Sequence, residues 1–206
     1  MDRATLAYGC AHFGKISFWY ASEVLFAYYL SEVCGLSPAR MGMVLALSFL
    51  LGAAADLLVS QLLRNYLQRV DNAVQLQLGG ALASATTLSA LFMGTYVPAD
   101  YRLGFALLFA GAFRLSYVLF DLPQNVLLSI ATTDEHSRAR LASLRIFFSS
   151  VGSMLVALSV APLMSDAAAL PPAHRFMLLA GALSVVAIAG ALWLVRAATP
   201  ARRPRP

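Results

Sequence analysis

Charge is scarce in this chain. Only 12% of its 206 residues are Asp, Glu, Lys or Arg, while 60% are hydrophobic and the mean hydropathy is +0.72. A water-soluble domain of this size has too much surface for its volume to hide that much apolar area, so a soluble globular fold is excluded. Cysteine is scarce as well. Cys10 and Cys34 fall at opposite ends of one apolar stretch, roughly 36 Å apart at the helical rise, far beyond disulfide reach. Strand-like alternation is missing, which argues against a β-barrel. There is no Gly-rich phosphate loop, no His-Glu-x-x-His and no paired-cysteine spacing. His12, His136 and His174 lie near the ends of apolar stretches or in loops and join no Ser/acid set. Catalysis, a metal site and a cofactor are therefore not expected. Basic residues interleaved with aromatics are lacking, which argues against a nucleic-acid partner.

Long hydrophobic runs are what the chain does have. A spanning helix needs about 20 mostly apolar residues, and six such stretches run roughly Tyr8–Leu30, Ser37–Leu63, Val74–Val97, Tyr101–Leu122, Leu141–Met164 and Arg175–Val195. Breaker-rich segments separate them: "CGLSPAR", "RNYLQRVDN", "VPAD", "TTDEHSRAR" and "SDAAALPPAHR". The expected fold is an all-α membrane protein of six transmembrane helices over residues 1–196. A basic, proline-rich tail at 197–206 is expected to be disordered and lipid-facing. The first stretch is long and carries Lys15 and Glu23, unlike a cleavable signal.

Loop arginines set the expected orientation. With both termini inside, Arg3, Arg64, Arg69, Arg138, Arg140, Arg196, Arg202, Arg203 and Arg205 are cytoplasmic, against Arg40, Arg102 and Arg175 outside. The net charge of +5 is then met by anionic membrane lipid. A multi-pass location in the cell inner membrane is expected.

Six charges remain inside or at the edge of the apolar stretches: Lys15, Arg114, Arg145, Glu23, Asp56 and Asp121. Each costs about 2.5–3.5 kcal/mol at the bilayer centre even on the lenient scale, so they are expected to point inward. Their spacing agrees. Arg114, Tyr117 and Asp121 share one stripe of the fourth helix. His12, Lys15, Trp19 and Glu23 form another on the first, Ser48, Gly52, Asp56 and Ser60 one on the second, and Arg145, Ser149, Gly152 and Ser153 one on the fifth. The third and sixth helices instead carry small residues suited to close packing: Gly79, Gly80, Ala83, Ser84, Gly181, Ala182, Gly190 and Ala191. Four helices around a polar centre with two as outer support is the simplest arrangement. Plainer readings stand beside these. Arg114 and Asp121 can form a structural ion pair, Lys15 and Arg145 can snorkel to the interface, His12 can be interfacial, and Trp19 and Tyr20 can be packing residues.

The segment "YGCAHFGKISFWYASEVLFAYYLSEVCGLSPARMG" resembles the first helix and loop of the glycoside–pentoside–hexuronide:cation symporters, the melibiose permease-like family within the major facilitator superfamily. "YVLFDLPQNVLLSIATTDEHSRARLASLRIFFSSVGS" is similar to that family's junction of helices four and five, where an Asp-x-Pro ends helix four. Together the likeness covers most of Tyr8 to Gly152. It implies a six-helix half of a transporter, with Asp56 matching the second of two cation-binding acids on helix two. It also implies sugar contact by Asp121 and a basic partner at Arg145. Departures are plain: Gly52 stands where the first acid should be, Val118 replaces a polar residue, Ile16 replaces a second sugar-contacting acid, and the loop after helix two has decayed to "SQLLRNYLQRVDN".

The resulting expectation is a half-size transporter of a small polar solute, a sugar or glycoside. It would be completed by a homodimer, a second transporter half or a larger membrane complex. Asp56 would couple a proton or cation, while Asp121, Arg114, Lys15, Arg145, Glu23 and Tyr117 would line the solute path or its gate. The alternative is a non-transporting accessory subunit with a degenerate transporter fold.

Overall fold

The computed structural model describes residues 3–130, 135–165 and 169–198, and every long element among them is helical. Helix α1 begins as Arg3–Tyr20 and continues through a π-helical turn at Ala21–Leu25, an α-helical turn at Phe26–Tyr28 and a second π-helical turn at Tyr29–Val33. It is followed by α2 (Pro38–Leu62), α3 (Val70–Leu91), α4 (Arg102–Ile130), α5 (Glu135–Met164) and α6 (Pro172–Ala198). The start of α2 shows how locally the breakers act. Gly35 takes φ +70°, a left-handed conformation that suits glycine. Ser37 is extended and its side chain accepts the Arg40 N–H at 3.4 Å, with Pro38 at the first helical position.

Four helices are long and apolar enough to cross a membrane: Pro38–Leu62, Ala99–Ile130, Glu135–Met164 and Pro172–Ala198. The other two fall short for visible reasons. The π turns divide α1, and α3 carries Asp71, Gln75, Gln77, Thr86 and Thr87. The expected tail lies outside the described residues, apart from Ala197 and Ala198, which continue α6. Residues 131–134 of the connection before α5 lie outside them too.

The packing order is α2 on α4, α4 on α3, α3 on α6, α6 on α1 and α1 on α5. Helices α3 and α6 thus stand behind α1 and α4, while α2 and α5 flank them with largely exposed faces that include Leu50, Leu57, Leu62, Ile146, Phe147 and Leu158. Small residues make the support layer close. A Cβ on Gly190 would lie 2.8 Å from the Cys10 carbonyl oxygen, and Ser84 and Ala191 are buried. Gly79, Ala83, Gly181 and Ala182 face outward instead, so only half of the expected small residues lie at contacts. At one end Tyr29, Phe92 and Phe176 cluster with ring centroids 5.2–5.4 Å apart, and the Tyr29 hydroxyl donates to the Phe92 carbonyl at 2.7 Å. This cluster ties α1 to α6 and to the segment after α3.

Helix α4 does not end at its Asp-x-Pro. It runs through Pro123 to Ile130. Proline there removes the bond to the carbonyl four residues earlier, that of Leu119. Gly80 of α3 is pressed against that same unit, since a Cβ on it would lie 2.4 Å from the Leu119 oxygen and 2.3 Å from its carbon. Beyond the proline, the Tyr8 hydroxyl donates to the Gln124 carbonyl at 3.1 Å, and the Gln124 amide returns a bond to the Tyr8 carbonyl at 3.4 Å. Tertiary partners therefore carry the helix past a residue that local propensity marks as a stop.

Gly80→Val should lower stability by about 1–3 kcal/mol or more, because only backbone stands in the way and it cannot rotate aside. The check is the midpoint of thermal unfolding in detergent, with outward-facing Gly79→Val expected to leave it nearly unchanged.

Candidate functional site

Lys15 of α1 is 2% exposed, and its Nζ meets Oδ1 of Asp121 on α4 at 2.6 Å. One turn further along α4, Asn125 donates its amide to Asp121 Oδ2 at 2.5 Å. The Asn125 Oδ1 accepts from Arg145 Nη2 of α5 at 2.9 Å and from Lys15 Nζ at 3.5 Å. Both carboxylate oxygens of Asp121 are thereby engaged, and three helices are joined through four side chains. His12 continues the network, with Nε2 2.8 Å from the Ser149 hydroxyl and Nδ1 3.2 Å from the Gln124 Oε1.

These contacts correct two of the plainer readings. Asp121 pairs with Lys15 and not with Arg114. Seven residues along a helix share a stripe but are roughly 10 Å apart along the axis, whereas Lys15 reaches across from a facing helix. Lys15 does not snorkel, and Arg145 points to Asn125. His12 is buried at 2% exposure.

Arg114 has a different setting. It is 4% exposed, and its guanidinium carbon lies 4.5 Å from the Trp19 ring centroid and 4.3 Å from that of Phe49. Its stem runs over Gly52, where a Cβ would be 3.4 Å from the arginine Cδ. The space above Gly52 is thus occupied by the base of an arginine. Nη1 is buried without a hydrogen-bond partner. Tyr117 is buried, donates its hydroxyl to the Lys15 carbonyl at 3.3 Å and packs its ring 5.4 Å from Trp19. Trp19 is the common neighbour of Arg114 and Tyr117. Glu23 lies on the first π turn, half-exposed, near enough to attract Arg114 electrostatically but not paired with it.

Two cavities adjoin the ion pair. One of about 360 Å³ opens among α1, α2 and α4, where Asp56, Gly52, Arg114, Tyr117, Trp19 and Asp121 converge. The other, of about 490 Å³, lies among α1, α4 and α5 and is bordered by His12, Lys15, Asp121, Asn125, Arg145 and Ser149. Asp121 and Ile16 border both cavities and so lie between them. Asp56 is exposed on α2 beside the first cavity. Ile16 and Val118, two of the departures from the symporter pattern, also line that cavity. Gln124 and Asn125 were missed by sequence reasoning. Their signal was the string "DLPQN", which puts two amides three and four residues after Asp121 on a helix assumed to have ended. The walls of the two cavities thus combine fixed charges, hydrogen-bond donors and acceptors, and aromatic faces.

Residues 7–205 match the family model described as MFS/sugar transport protein. An uncharacterized symporter of Synechocystis is 28% identical over 196 residues, covering 91% of this chain and 36% of that protein. A protein of Escherichia coli named as a glycoside/cation symporter is 26% identical over 147 residues, covering 71% of this chain and 32% of its own length. The chain spans about a third of the length of these relatives.

Breaking this pair, in which Lys15 is 2% and Asp121 28% exposed, leaves one uncompensated charge. Lys15→Met and Asp121→Asn should each cost about 3–5 kcal/mol. The double variant should lose clearly less than the sum, as coupled partners do. Unfolding of all four proteins in one detergent closes that cycle; strict additivity would show that the pair carries no coupling.

Proposed function

We propose a transport function from one premise: the chain belongs to the MFS/sugar transport protein family. It is a multi-pass membrane protein of a transporter family, not an enzyme. In our reading all six helices cross the inner membrane with both termini cytoplasmic. The arginine asymmetry between the two sets of connections supports this.

The six helices form one wall of a solute pathway. A second six-helix unit, whether a second copy, another half or part of a larger complex, faces the exposed sides of α2 and α5. Alternating access follows from rocking one unit against the other around a site at mid-membrane. One observation carries the reading: Asp56, Arg114, Tyr117, Trp19 and Asp121 converge from three helices on a single cavity of about 360 Å³. The solute is small and polar, a sugar or glycoside, held by hydrogen bonds to the acids and by stacking on the aromatics. The coupling ion is a proton on Asp56. Sodium takes several oxygen ligands, and Gly52 and Val118 offer none beside that carboxylate. Lys15, Arg145 and Glu23 are the gating and positioning charges.

The arginine stem over Gly52 also favours a second reading, in which the fold has lost cation coupling altogether and serves as an accessory subunit. Uptake of labelled sugars into proteoliposomes under an acid-outside gradient separates the two. Asp56→Asn should reduce gradient-driven uptake roughly tenfold or more, within the 1–3 kcal/mol range of coupling between sites. Unchanged gradient dependence in Asp56→Asn would remove the proton role. No uptake by wild type, with assembly into a larger complex intact in Asp56→Asn/Asp121→Asn, would favour the accessory subunit.

A further inference from the structure

Five buried side-chain atoms lack a hydrogen-bond partner among the described residues, and three of them lie on one face of α3. They are both polar atoms of the Gln77 amide and the Ser84 hydroxyl, on residues that are each 0% exposed. Gly80 stands between them, three residues after Gln77 and four before Ser84, so the three share a stripe. A buried amide left unpaired is costly, because it has given up water and gained nothing in return. An arrangement that gives Gln77 a partner recovers that cost.

The facing stretch of α4 holds the acceptor. Pro123 has no N–H for the Leu119 carbonyl, and the peptide unit of Leu119 and Phe120 is the one pressed on Gly80. Thr87 meets Ser116 at 2.9 Å while Gly80 meets Leu119, so α3 and α4 run antiparallel. Helical carbonyls point toward the C-terminus of their helix. The Leu119 oxygen therefore points along α4 toward the level of Gln77, which lies about 4.5 Å from Gly80 along the axis. A glutamine side chain spans that gap once the carbonyl swings outward, and proline is where helices bend sharply.

We propose that α4 is a two-state helix hinged at Pro123, and that in its more bent state the Gln77 amide donates to the Leu119 carbonyl. The two bonds between Tyr8 and Gln124 hold the described state against that bend. Asp121 lies inside the hinge and Asn125 just beyond it, so bending alters the span that the Asn125–Asp121 bond bridges. Gln77 is then a positioning residue through which α3, which contributes no member of the Lys15–Asp121–Asn125–Arg145 network, acts on it. This inference stands on the fold alone and goes beyond the transport reading.

The test measures distances in the whole chain in nanodiscs, with Cys10→Ala and Cys34→Ala as background. Nitroxide labels are placed on Ser129→Cys, exposed beyond the hinge, and in turn on Val185→Cys of α6 or Leu50→Cys of α2, both exposed. Pulsed electron paramagnetic resonance reads each pair. A bend of about 25° moves the label at position 129 by about 4 Å, so the otherwise unaltered chain should show two distance populations in at least one pair. Gln77→Leu, which keeps the bulk and removes the amide, should lower the bent fraction about two- to tenfold, the worth of one hydrogen bond. It should not lower the thermal unfolding midpoint. Pro123→Ala, which restores the donor to Leu119, should leave one population. Ser84→Ala removes an equally buried orphan that faces no freed carbonyl, and should leave the ratio unchanged. A single population without these substitutions, an unchanged ratio in Gln77→Leu, an equal fall in Ser84→Ala or a lower midpoint in Gln77→Leu overturns the proposal. Should Pro123→Ala not fold, the ratio in Gln77→Leu decides alone. None of these outcomes bears on uptake, so the transport reading stands or falls separately.

Discussion

The ion pair between Lys15 and Asp121 is the contact on which the polar centre depends. Helices α1 and α4 do not touch through small residues, as α1 and α6 do at Gly190. They meet through large side chains: Phe18 on Phe120, Trp19 on Tyr117, Lys15 on Asp121. Large side chains keep two backbones apart and leave cavities beside them. A pair of charges in that gap costs desolvation that only close geometry and further hydrogen bonds repay. Asn125 supplies those bonds, and it brings in Arg145 from α5. The same pair therefore joins α1 to α4, recruits a third helix and lies beside two cavities.

The close packing behind it makes that wide centre possible. Gly80 against Leu119, and Gly14 and Gly190 across α1 and α6, bring the support helices to near backbone contact. The two π turns of α1 complete the division of labour. A π turn inserts a residue into the helical register and so turns the following side chains to a new side. Before the first turn, His12, Lys15 and Trp19 face α4 and α5. After it, Phe26 and Tyr29 pack on Phe92 and Phe176. Glu23 sits on the turn itself, which is why it does not extend the stripe that ideal helical spacing gives it.

Single-helix periodicity picks out polar stripes on four helices, and the structure places Asp56, Arg114, Tyr117 and Asp121 on one cavity and Lys15, Asp121 and Arg145 on the next. It could not tell which helix each stripe meets. For that reason Arg114 looked like a partner for Asp121, when the facing helix offered Lys15 at 2.6 Å. Local propensity placed a helix end at Pro123, and with it hid Gln124 and Asn125. The continuation depends on Tyr8 and Gly80, residues more than forty positions away whose role no local window contains. The turn at Gly35, Ser37 and Pro38 was legible because its chemistry is local.

Gly52 and Arg114 are best understood together. In the symporters this chain resembles, an acid stands at the position of Gly52 and a mobile cation is held by it and its neighbour. Here the stem of Arg114 fills that space, and a positive charge is present that cannot leave. A fixed cation cannot be exchanged across a membrane, so it cannot serve as a coupling ion. It can still balance the charge of whatever occupies the cavity. On the proposed reading the two tasks of a mobile cation are therefore divided. Asp56 keeps the exchangeable proton, and Arg114 keeps the electrostatic complement. In the proposed cycle an occupant that accepts hydrogen bonds engages that guanidinium in the occupied state only. Alternating access needs such a difference between occupied and empty states, because a ligand shifts an equilibrium only through its differential interaction with the two.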